Sequence, residues 1–75
     1  MPHIHIDSIP GRDEANKKKI AEALLNALVE SAPVPKEYCY VTFGEVKRED
    51  WLEYDKNVIS AKPEEIFFYK GEAKK

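Results

Sequence analysis

The chain opens "MPHIHID", and Pro2, His3 and His5 carry nitrogens that could move protons. Pro2 qualifies only if Met1 is gone. It then holds a free secondary amine on a rigid ring, whereas behind Met1 its nitrogen is an amide with no hydrogen to donate. An α-amine starts at about 7.7–8.0, close to where a proton shuttle works best. An apolar pocket and a neighbouring cation both disfavour its protonated form and lower it further. On a purely structural reading, Pro2 simply opens a strand, where a missing N–H is tolerated. His3 and His5 alternate on one strand face and point the same way. No third residue stands at ligand spacing, so no metal site is expected, and the pair is read as surface or interface histidines. Cys39 is the lone thiol and reads as a small buried hydrophobe, with no motif to activate it.

The elements that must position these groups are legible in the pattern. Ile4 and Ile6 alternate with His3, His5 and Asp7, a period of two that predicts a half-buried strand. Pro10 and Gly11 break it. Asp13 then reads as an N-cap, with Asn16 three residues on standing in for the usual Glu or Gln of a capping box. From there to about Ala32 the chain has no Gly or Pro. Ile20, Leu24 and Leu28 form one apolar row, and Ala21, Leu25 and Val29 a second. Ala23 and Ala27 widen the stripe beyond what a single core contact needs, so the helix is expected to touch two surfaces, the second on a partner subunit. "APVPK" ends it. "YCYVTFGEV" reads as a second strand with both faces covered. The run "KKK" at 17–19 reads as solvated.

This predicts an α/β (α+β) domain over 1–75, built on one β-α-β unit with parallel strands. "PEEIFFY" is expected to add a short C-terminal helix from Pro63, and "KGEAKK" a frayed tail. Two parallel strands do not make a stable sheet alone. At 75 residues, with one cysteine, neither a large core nor a disulfide supports the fold, and oligomerisation is the remaining route. The net charge of −2 disfavours nucleic acid as partner. No apolar run suits a membrane span and no signal-peptide pattern opens the chain, so a cytoplasmic protein is expected.

"MPHIHI", then "PGRDEANKKKIAEALLNAL", then a strand ending "FGEV", resembles the tautomerase superfamily of the 4-oxalocrotonate tautomerase type. The resemblance covers roughly residues 1–51. "EVKREDW" and the tail beyond it look more like the longer bacterial, phenylpyruvate-type members. The resemblance implies keto–enol isomerisation of a small carboxylate-bearing substrate with no cofactor. Pro2 is then the general base and the acid that returns the proton. Arg12 helps hold the carboxylate, and Trp51 closes the pocket. It also implies a homodimer in preference to a hexamer. Tyr40 stands where the family's second arginine falls; its phenol supplies no charge, which favours a monoanionic aromatic substrate. Arg48 is a nearby substitute. Arg12 and the positive end of the following helix would both depress the amine's affinity for a proton and favour a carboxylate. The competing expectations are a non-catalytic oligomeric binding domain, and a dehalogenase, hydratase or decarboxylase using the same proline.

Overall fold

The helix starts where its cap places it. In the computed structural model, which describes residues 1–75, the Asp13 carboxylate accepts the Asn16 amide at 2.8 Å. That bond satisfies one of the orphan N–H groups of the first turn. Helix α1 runs Glu14–Ser31. The Ala32 amide still reaches the Leu28 carbonyl at 2.8 Å, and prolines at 33 and 35 prevent continuation. Before it lies strand β1, His3–Ser8; after it, strand β2, Tyr40–Glu45. The strands pair in parallel, His3 opposite Tyr40 through Ser8 opposite Glu45. This is the expected β-α-β unit. The second strand is shorter than "YCYVTFGEV" suggests, because Lys36–Tyr38 take a single 3₁₀ turn after Pro35.

The chain divides into two compact units, Met1–Glu45 and Val46–Lys75. In the first, the sheet has two unlike faces. Phe43 meets Ala21 and Lys17 of α1 around a cleft of about 520 Å³. The Lys17 ammonium sits 3.3 Å from Glu45 and 3.9 Å from Glu14, tying helix to strand on that side. The opposite face carries His3, His5, Asp7, Tyr40, Thr42 and Gly44. It is open, with Tyr40 52% exposed, contrary to the expectation that both faces of β2 are covered. On α1, Leu24, Leu25 and Leu28 are half-buried, while Ala23 and Ala27 are exposed. No side chain of the single chain is fully buried.

The second unit begins with a 3₁₀ turn, Arg48–Asp50, and a four-residue helix α2, Trp51–Tyr54, which widens into a π turn over Asp55–Ile59. The helical start at Pro63 lasts only one 3₁₀ turn, Pro63–Glu65. The aromatic residues after it enter a hairpin instead, β3 Phe68–Tyr69 with β4 Glu72–Ala73. Its two-residue loop puts Lys70 at φ 51° and Gly71 at φ 84°, the positive values that suit a tight hairpin connection. The segment expected to fray is therefore paired.

Asp55 organises this unit. Its carboxylate accepts the Tyr69 hydroxyl at 2.6 Å and the Ser60 hydroxyl at 2.8 Å. The Tyr69 bond first, and then the Ser60 bond, hold its pKa below the ordinary carboxylate value. A depressed native pKa contributes stability above the ordinary value and loses it as pH falls through the depressed one. Tyr69→Phe should therefore move the Asp55 midpoint upward in a side-chain NMR titration. An unchanged midpoint would remove the phenol as the cause.

Candidate active site

Pro2 stands one residue ahead of β1, half-buried. Its carbonyl accepts the Tyr40 amide at 3.1 Å. This bond fixes the amino-terminal end of β1 to the start of β2. It puts the Pro2 backbone beside Tyr40, so two of the four sequence-derived site residues share one end of the sheet. Met1 precedes Pro2 and is 84% exposed.

Arg12 is at the other end. It follows Gly11, which adopts φ 131°, and sits exposed just ahead of the Asp13 cap. Six residue steps of extended chain lead from Pro2 to Ser8, about 20 Å at the usual strand rise. The turn then carries Arg12 to the N-terminal end of α1. Within one chain the strand keeps the proline and the arginine apart. Trp51 and Arg48 belong to the second unit. Trp51 is half-buried with its ring 5.1 Å from that of Tyr54, and Arg48 opens its 3₁₀ turn, exposed.

A group not singled out as a set from the sequence lies on the open face next to the Pro2–Tyr40 end. His3 Nε2 is 2.8 Å from the Thr42 hydroxyl. His5 Nδ1 is 2.6 Å from the same hydroxyl. His5 Nε2 is 2.9 Å from Asp7 Oδ1. Gly44, opposite Asp7 in the register, makes room for them. A Cβ there would press on Asp7 Oδ1 and lie 3.2 Å from His5 Nε2. The spacing His-x-His-x-Asp was a visible signal on one strand. Thr42 and Gly44 join only through the cross-strand register. No group of three metal-ligating side chains assembles. Cys39 is half-buried, its sulfur 3.6 Å from the Pro35 carbonyl.

Comparison with known proteins gives a consistent result. The family described as "Tautomerase enzyme" matches residues 2–61. A 2-hydroxymuconate tautomerase of Pseudomonas putida is 41% identical over 51 residues, 68% of this chain and 81% of that protein. A probable tautomerase of Ralstonia nicotianae is 31% identical over 51 residues, 68% of this chain and 78% of its own length. No solved structure matches significantly.

Proposed function

The chain belongs to the tautomerase family, and from that premise we propose that it interconverts the keto and enol forms of a small 2-keto acid, with Pro2 as the base. The observation that carries this reading is that the family match begins at Pro2 itself. Freed of Met1, the neutral secondary amine takes the enol proton. The resulting ammonium returns a proton to carbon, and the amine is neutral again. Nothing is oxidised overall, and the chemistry calls for no cofactor.

The carboxylate of the substrate is assigned to Arg12, through charge-assisted hydrogen bonds. The strand between Pro2 and Arg12 argues that the two come from different copies of the chain. Two further features support assembly. A two-stranded parallel sheet leaves both edges unpaired, and the single chain has no fully buried side chain. A homodimer is favoured over a hexamer. Tyr40, whose backbone is bonded to that of the proline, is assigned as a neutral hydroxyl donor to the substrate, and Trp51 is assigned to pocket closure. The Pseudomonas relative is named for 2-hydroxymuconate, a dicarboxylate. With a neutral Tyr40, a monoanionic aromatic acid is the better fit here. No helix is long and apolar enough to cross a membrane, and a cytoplasmic location is proposed.

The test is ketonisation of phenylpyruvate enol, followed by absorbance, with protein whose intact mass shows that Met1 is absent. We expect a rate well above buffer. A rate equal to buffer at every pH from 5 to 9 would overturn the reading and favour a binding domain.

A further inference from the structure

We propose that His3 is a carboxylate-binding residue whose readiness to bind is set by one proton held in the chain His3–Thr42–His5–Asp7. The reading of Pro2 as base guides only the choice of ligand, a small aromatic acid.

Donors and acceptors along this chain can be counted. An ionised carboxylate only accepts. Asp7 Oδ1, 2.9 Å from His5 Nε2, therefore takes a proton-bearing Nε2–H. If His5 is neutral, its Nδ1 has no hydrogen and accepts from the Thr42 hydroxyl at 2.6 Å. The Thr42 oxygen then accepts from His3 Nε2–H at 2.8 Å. In this state the Nδ1 of a neutral His3 is a bare acceptor. It offers nothing to a carboxylate.

Now one proton is added. It can sit on His3, which becomes an imidazolium with Nδ1–H outward and every other bond unchanged. Alternatively it sits on His5, which then donates from Nδ1 to the Thr42 oxygen. The Thr42 hydroxyl turns round and donates to His3 Nε2, and a neutral His3 must carry its hydrogen on Nδ1. Both placements present the same outward N–H. The two differ only by a concerted shift through Thr42: one N–H bond and one O–H bond break, and one of each forms. A carboxylate at His3 favours the placement beside the ligand, since opposite charges attract.

The surroundings are built for this. His3 is paired in register with Tyr40, whose amide is bonded to the Pro2 carbonyl, so His3 stands at the end of the sheet where the proline is. His5 and Asp7 have side chains 46% and 23% exposed, leaving the pair partly shielded. The absence of a side chain at Gly44 is what admits them. The titratable groups near the two histidines are Asp7 from β1, Tyr40 from β2 and the amino-terminal amine that precedes β1. Glu45 and the Lys17 of α1 are engaged on the other face.

The experiment uses the intact chain and phenylacetate as ligand, by calorimetry between pH 5 and 8. Buffers of different ionisation enthalpy give the protons taken up on binding. We expect uptake approaching one proton per ligand at the alkaline end, with affinity falling up to about tenfold per pH unit there. In His3→Gln proton uptake on binding should fall below that of the native chain to the share left to the amino-terminal amine, while in His3→Arg binding should persist with the same reduced uptake. Ring NMR titration should show the two histidines moving together in the native chain and separately in Thr42→Val. Uptake undiminished in His3→Gln, histidines that titrate independently in the native chain, or no phenylacetate binding at any of these pH values would each overturn the proposal. Ketonisation measured on the same protein reports on the tautomerase reading separately, since Pro2 can be active while His3 plays no part.

Discussion

Protein that keeps Met1 should ketonise phenylpyruvate enol at close to the buffer rate, and protein that has lost it should run about 10²–10⁴-fold faster, the usual worth of a positioned general base. The reason is the nature of the Pro2 nitrogen. Behind Met1 it is an amide and cannot take a proton at neutral pH. Released, it is a secondary amine whose neutral form is the active one. The rate should therefore rise with pH through one ionisation, near or below the ordinary α-amine value of about 7.7–8.0. Pro2→Ala keeps a free amine but loses the ring and its secondary nitrogen, so it should fall between the two. Equal rates from the two forms, each identified by intact mass, would falsify Pro2 as the base.

The second large effect concerns Arg12. Removing a charged hydrogen bond to the substrate costs on the order of 1.5–3 kcal/mol, so Arg12→Ala should lose about 10–150-fold in kcat/KM with its circular dichroism unchanged. A sharper result comes from mixing. If each site takes its proline from one copy and its arginine from another, Pro2→Ala and Arg12→Ala chains are individually poor but complementary. Unfolded together and refolded at equal amounts, they should recover about one quarter of the native rate, the statistical share of sites with both residues intact in a symmetric assembly. Activity of the mixture no higher than the mean of its components would place both residues in one chain or remove Arg12 from the site. Sedimentation of the native chain as a stable folded monomer at micromolar concentration would do the same to the shared site.

How far these features are legible in the sequence depends on the length of the pattern. Helix α1 is five turns of uninterrupted periodicity bounded by Asp13 and Pro33, and both ends fall where expected. Strands β1 and β2 alternate over six residues each, enough to show a period of two. The hairpin at Phe68–Ala73 has strands of two residues, too short for any period. Only the Lys70–Gly71 pair marks it, and the preceding Pro63 and its acids suggest a helix more strongly. Among the site residues, Pro2 and Arg12 are visible by type and flanking motif. That a strand holds them apart is implied by the element order. The link between His5 and Thr42 is different in kind. It depends on register, which one chain's alternation does not state until the partner strand is aligned.

Gly44 has a consequence for how this sequence can change. Its bare Cα lies where any side chain would press on the Asp7 carboxylate, and the backbone there needs no left-handed conformation, since only Gly11, Lys70 and Gly71 have positive φ. The constraint is therefore not on the backbone but on a pair of positions. A side chain at 44 has to displace the Asp7 carboxylate oxygen that accepts from His5, so the two positions are coupled through that one contact. A change at 44 is felt first as a shift of the acid at 7, and its cost depends on how far that flexible end can turn while still reaching His5.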